Sequence, residues 1–168
     1  MTLESPPKAI ESTGLLPIKN IHANFVCIVP YGFSTINKHQ VIFNHKRQWW
    51  GEREEGVIEL IRMAKENEMK VMLKPQVWLQ GGWVGDFVLE SDKEWLDWER
   101  AYKKYILFYA QIAEKNDVDI YCVGTEYKTA AILRPDFWIS LIAEIRKVYK
   151  GKLTYAANWD EYKELSFW

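Results

Sequence analysis

The sequence predicts an α/β fold with a parallel sheet, and three observations carry that expectation. Apolar, β-branched runs alternate with helical periodicities along the whole chain, the pattern of repeated βα units. A (β/α)8 barrel spends roughly 31 residues on each unit, so 168 residues hold five or six of them. The first clear strand is followed by Pro30-Tyr31-Gly32-Phe33-Ser34, not by the Gly-rich phosphate turn that an open dinucleotide-binding sheet places there. A TIM barrel is therefore expected, with residues 1–168 as one partial domain carrying its first five strands and the start of a sixth.

Each element has its own signal. A short strand is expected before Pro6-Pro7, and the first clear one is Asn24–Pro30, closed by Pro30 and the Tyr31-Gly32 turn pair. Val57, Leu60, Ile61 and Ala64 share a helical face opened by acidic residues between Glu52 and Glu55, which suit the positive end of a helix dipole. Lys70–Trp78 reads as the next strand. Ser91-Asp92-Lys93-Glu94 is a capping box, and the stripe from Trp95 and Trp98 through Tyr102, Tyr105 and Tyr109 to Ala113 makes the longest helix. Val118–Gly124 is a strand. Pro135 suits the first turn of a helix that buries Trp138, Leu141 and Ile145, with Gly151 expected to stop it. Lys152–Ala157 is the last clear strand, and Glu164 to Trp168 lie where another is expected to begin.

Composition narrows the function. Lys+Arg 22 against Asp+Glu 23 leaves a net charge of −1, so neither nucleic acid nor an anionic lipid surface is an expected partner. No apolar run approaches the roughly 20 residues that cross a bilayer, and the opening residues lack the basic and apolar regions of a signal peptide, which leaves the compartment open. Cys27 and Cys122 sit in apolar runs as small hydrophobes, and His22, His39 and His45 have no metal-ligand spacing, so no metal is expected. Trp 9, Tyr 9 and Phe 7 make 15% of the chain, a load that suits stacking on flat ligands or sugar rings as well as a core.

Barrel chemistry sits at the C-terminal strand ends and the loops that follow. Gly124-Thr125-Glu126-Tyr127 ends one strand, and strict alternation puts Glu126 on the side of Ile120, Cys122 and Gly124, facing the axis. Lys74, Gln76 and Trp78 share a parity on another strand, and Asn158 and Trp159 follow the last. Two long loops, Tyr31–Trp50 and Leu79–Glu90, carry Trp49, Trp50 and Trp83, whose faces match the C–H face of a pyranose. An oligo- or polysaccharide is the expected ligand. Spacing alone leaves a bland alternative for Glu126, a structural carboxylate paired with Lys74 or Arg134, and a turn role for Asp86 and Asp160.

Four stretches in order, Trp49-Trp50-Gly51-Glu52, Leu73–Trp78, Gly124-Thr125-Glu126 and Leu153–Asp160, resemble glycoside hydrolase family 113, the endo-β-1,4-mannanase group, across roughly residues 20 to 168. The resemblance implies a retaining glycosidase, needing no cofactor, that acts on a β-linked polysaccharide such as β-1,4-mannan. In it Glu126 is the acid/base after the fourth strand, and the nucleophile Glu after the seventh lies beyond Trp168. Thr125 departs from the wider clan, which usually has Asn there to bind the sugar 2-hydroxyl. On this resemblance the 168 residues alone are expected to be inactive, and a chain ending at Trp168 is expected to self-associate through its open sheet edge. The competing reading is a non-catalytic carbohydrate-binding or pseudo-enzyme fragment.

Overall fold

The computed structural model describes residues 1–36 and 38–168; position 37, inside the first expected long loop, lies outside the described residues. Five strands form one all-parallel sheet: β1 (Thr2–Glu4), β2 (Phe25–Val29), β4 (Lys70–Leu73), β6 (Ile120–Thr125) and β7 (Lys152–Ala156). They lie side by side in the order in which the chain makes them. A doubly wound sheet reverses direction partway along that order, whereas a barrel wall does not. The short strand expected before Pro6-Pro7 is present as β1.

Two expected boundaries move, for one reason. The stretch after Pro30, expected as loop, begins with β3 (Tyr31–Thr35), and the strand expected over Lys70–Trp78 breaks and resumes as β5 (Gln76–Gln80). Phe25 pairs with Lys70 and Tyr31 with Gln76, the same offset, so Pro30 falls opposite Pro75 and the β3–β5 pair continues the β2–β4 ladder in register. Each proline removes one N–H, so the ladder interrupts where the two meet. The Lys74 N–H donates to Ile28 and the Gln76 N–H to Pro30, which carries the register across the break. Tyr105, buried on the neighbouring long helix, places its hydroxyl 3.0 Å from the Pro30 carbonyl and 3.1 Å from that of Gln76.

The helices are α1 (Leu16–Asn20), α2 (Glu54–Glu66), α3 (Asp92–Lys115), α4 (Lys128–Leu133) and α5 (Pro135–Val148). In α2 the predicted face, Val57, Leu60, Ile61 and Ala64, is the buried one. The capping box of α3 forms as its sequence requires: the Ser91 hydroxyl accepts from the Glu94 N–H, and the Glu94 carboxylate accepts from the Ser91 N–H. From α3, Trp98, Tyr102, Tyr105 and Tyr109 go wholly into the core, where Trp138 of α5 and Tyr121 of β6 meet them. Each buried tyrosine needs an acceptor. Tyr102 donates to the Val123 carbonyl, Tyr109 to that of Glu52 and Tyr121 to that of Ile106. Burial pushes the Tyr102, Tyr105 and Tyr121 hydroxyls well above their ordinary range, so they remain donors.

The α5 stop differs from expectation. Tyr149 leaves the helix in an extended conformation, φ −132°, because its ring is buried against Tyr121 and its hydroxyl donates to the Val118 carbonyl at 2.7 Å. Gly151 does not adopt the left-handed cap conformation.

Candidate active site

The turn that carries Glu126 is built by an irregularity in β6. Its register against β7 shifts between Cys122 and Thr125. Cys122 and Thr125, three residues apart, consequently share a side, with Sγ and Oγ1 4.0 Å from each other. A Cβ on Gly124 would instead meet the Trp138 ring at 2.7 Å and the Tyr155 ring at 2.8 Å, on the helix side. The strict alternation that grouped Glu126 with Cys122 and Gly124 therefore does not hold; a bulge re-aims the strand end. Glu126 itself has φ 56°, in the left-handed region, where a residue with a Cβ is strained. Its N–H donates to the Ala156 carbonyl at 2.9 Å.

One side-chain partner of the Glu126 carboxylate is an indole. The Trp83 Nε1–H donates to Oε2 at 3.2 Å. Trp83 reaches it because Gly81, at φ +91°, turns the chain out of β5 and because Gly85 has no side chain: a Cβ there would lie 2.2 Å from the Trp83 ring. The Thr129 hydroxyl donates to the Gly85 carbonyl at 2.7 Å and ties this loop to α4. Of the two cations considered from sequence, Arg134 pairs elsewhere, with Glu99 and Asp92.

A second cluster lies at the ends of β1 and β3. The Trp49-Trp50-Gly51-Glu52 stretch is pinned to the residues after β1. The N–H groups of Trp50 and Gly51 donate to the carbonyls of Pro7 and Pro6, and the Ser5 hydroxyl lies 3.1 Å from the Gly51 carbonyl. A Cβ on Gly51 would meet Pro6 Cδ at 2.4 Å, so glycine is needed for the close approach. The two tryptophans part company: Trp50 packs inward against the core, and Trp49 stands out, 54% exposed. Trp49, Tyr31, Phe33, Glu52 and Trp78 wall a cleft of about 560 Å³. Trp78 is 61% exposed, meets Tyr31 edge-on, and also borders a neighbouring hollow of about 380 Å³ over β3 and β5. Glu52 accepts the Trp49 N–H at 3.1 Å, and its burial lifts its carboxyl above the ordinary value.

Lys74 and Gln76 are half-buried on either side of Pro75. The Lys74 charge is felt at both thiols, opposing the upward push of burial on Cys27 and Cys122. Thr125 is 3% exposed. Past β7, Asn158 Oδ1 accepts the Trp159 N–H, and Trp159 is 82% exposed. Asp160 pairs with Lys128 at 2.7 Å, which holds its carboxyl below the usual range. Among the described residues no group of three or more His, Cys, Asp or Glu is placed to hold a metal. Two further hollows lie on the helix layer, away from the strand ends: one of about 450 Å³ between α3 and α5, and one of about 470 Å³ between α2 and the end of α3.

The sequence pattern of Glycoside Hydrolase Family 113 matches residues 6–168. The chain belongs to glycoside hydrolase family 113. Three solved structures of family 113 proteins are similar to it. A β-1,4-mannanase complex superposes with a TM-score of 0.82 at 30% identity, over 94% of this chain and 52% of that one. A β-mannanase from Alicyclobacillus acidocaldarius in complex with ManMIm gives 0.85 at 23% identity, over 100% and 56%, a likeness of fold alone. Another β-1,4-mannanase gives 0.83 at 28%, over 100% and 58%. The chain thus spans a little over half the length of these relatives. No curated protein sequence matches it.

Within the family 113 barrel, the five sequential strands are five of eight. The structure brings Glu126 and Trp83 together and gathers Trp49 and Trp78 around one cleft; Trp159 stands apart on the loop after β7. Sequence reasoning missed Tyr31 and Phe33 as cleft walls, because Pro30 reads as a strand end. Residues behind the Glu126 turn, Tyr155 and Glu161, have no local signal, since they meet it from 28 or more residues away.

Proposed function

We propose that residues 1–168 supply the acid/base half of a retaining glycoside hydrolase acting on β-linked polysaccharide, with β-1,4-mannan as the substrate. They form the first part of its barrel domain. The observation that carries this reading is Glu126, held at a strained strand-end conformation with an indole N–H on one carboxylate oxygen, in a chain of family 113.

In the first step Glu126, protonated, donates through Oε1 to the glycosidic oxygen as the C–O bond breaks, while Trp83 holds Oε2. A second carboxylate, roughly 5 Å away in a retaining site, attacks the anomeric carbon from the opposite face. It comes from the part of the family's length that residues 1–168 do not span. Glu126, now a carboxylate, then takes a proton from water, which releases the sugar with its original configuration. The chemistry requires no cofactor. Trp49 and Trp78 stack on sugar rings in the cleft, and Trp159 does the same past β7. Lys74, Gln76 and Asn158 offer hydrogen bonds to hydroxyls, while Trp50 and Thr125 back the site from inside.

The test is hydrolysis of linear β-1,4-mannan by the full-length protein, with the anomer of the first product read by NMR. Hydrolysis with retention, reduced by about 10²–10⁴ in Glu126→Gln, is the expected result. Binding of mannan without turnover, unchanged in Glu126→Gln, would overturn the catalytic reading.

A further inference from the structure

Behind the strand ends lies a buried carboxylate that the catalytic reading does not use. Glu161 has no exposed surface. Its carboxylate accepts a short hydrogen bond from the Tyr155 hydroxyl and another, at 2.9 Å, from the Asn158 N–H. Both donors are neutral and, among the described residues, no cation pairs with this carboxylate, an arrangement that costs stability relative to an apolar side chain. The far end of the chain of bonds is the acid's own turn. The Tyr155 oxygen accepts the Tyr127 N–H at 2.9 Å, and the Ala156 carbonyl accepts the Glu126 N–H at 2.9 Å. Two consecutive residues of β7 therefore hold the two consecutive backbone N–H groups at and after Glu126.

We propose that Tyr155 and Glu161 are positioning residues for Glu126, a reading that rests on its acid/base role. The left-handed conformation of Glu126 persists only if its surroundings over-determine it. The peptide between Glu126 and Tyr127 is oriented by the Tyr155 oxygen, and this orientation directs the carboxyl toward Trp83. The Glu161 charge polarises the Tyr155 O–H, which makes its oxygen a stronger acceptor for the Tyr127 N–H. Burial and the same charge push the Tyr155 hydroxyl far above its ordinary value, so it stays protonated and keeps its direction of donation. Tyr155 stands on the helix side against Trp138 and Phe167, in the space that Gly124 leaves open, so it acts through the turn and not on the sugar. The second Glu161 oxygen fixes the start of the Asn158-Trp159 loop. One carboxylate thus sets the acid and that loop together.

A displaced acid matters only where the leaving group needs its proton. The test compares kcat/KM of the full-length protein on aryl β-manno-oligosaccharides with two leaving groups: phenol, which must be protonated, and dinitrophenol, which departs unaided. This parameter reports the steps through cleavage of the aryl bond. Glu126→Ala serves as the reference and loses the phenyl substrate far more than the dinitrophenyl one. Tyr155→Phe is expected to lower the phenyl substrate by about 10- to 100-fold, the cost of a group misplaced by about 1 Å, and the dinitrophenyl substrate by about 2-fold or less. Glu161→Gln, close in shape, is expected to show the same selectivity at smaller size. Equal losses on both substrates, or none, in Tyr155→Phe and Glu161→Gln would overturn the positioning role while Glu126→Ala stays selective. Loss of selectivity in Glu126→Ala itself would instead overturn the acid/base role on which the proposal rests.

Discussion

Replacing Glu126 by glycine is expected to make the protein more stable than replacing it by alanine, although both variants lose the acid. Both substitutions remove the carboxylate and its bond from Trp83, so those terms cancel in the comparison. What remains is the backbone at φ 56°. A residue with a Cβ costs about 1–2 kcal/mol in the left-handed region, and glycine does not. Glycine in turn gives the unfolded chain more freedom, which takes back about 0.4–1 kcal/mol. The difference favours glycine by about 0.5–1 kcal/mol, or about 1–4 °C in Tm for a domain of 150–250 residues. Thermal unfolding of the wild type and the Gly, Ala and Gln variants under one buffer and scan rate measures it. Alanine and glutamine variants equal to glycine in Tm would refute the claim that the Glu126 turn stores strain.

Other perturbations test the surrounding parts. Burial raises the Glu52 carboxyl pKa, so the folded state holds that proton more tightly than the unfolded chain; its contribution is present at low pH and is lost as pH rises through the folded value. Glu52→Gln, which keeps an acceptor for the Trp49 N–H, is therefore expected to raise Tm at pH 7 and to leave it unchanged below about pH 4, a difference that unfolding at the two pH values reads out. Gly124→Ala drives a methyl into the Trp138 and Tyr155 rings and is expected to cost about 1–3 kcal/mol in denaturant unfolding. Trp49→Ala and Trp78→Ala are expected to raise KM for mannan oligosaccharides by about 2- to 10-fold with kcat nearly constant, whereas Trp50→Ala lowers Tm instead. A polypeptide of residues 1–168 alone presents β1 and β7 as open parallel edges and exposes Trp159, Tyr162 and Trp168. It is expected to self-associate, and a monodisperse monomer in light scattering would count against this.

The barrel was legible because its signals are local. Period and capping placed α2, α3 and α5, and the buried tyrosines of α3 lie on the face their spacing chose. Glu126 and Trp83 were both legible as candidates, one from its strand end and one from its loop, but their hydrogen bond was not, because it joins residues 43 apart. Proline misled at Pro30: it cannot donate to a ladder, so it reads as a terminus, yet here its carbonyl still accepts the Gln76 N–H and the ladder resumes in the same register beyond the break. The bulge in β6 was invisible for a related reason. Apolar runs do not announce a doubled residue, and only the small volume of Gly124, against two large rings, shows afterwards which residue had to face the helices.

The paired prolines also divide labour along two strands. Residues before them close the hydrophobic wall, and residues after them, on β3 and β5, stand as a short two-stranded panel that forms one side of the cleft. The Tyr105 hydroxyl at the crease works as a latch between panel and wall. The panel's outer residues, Phe33 and Trp78 among them, can accordingly be exchanged to reshape the groove without touching the core beneath it, so the crease is the natural place to graft a groove of different width onto this barrel.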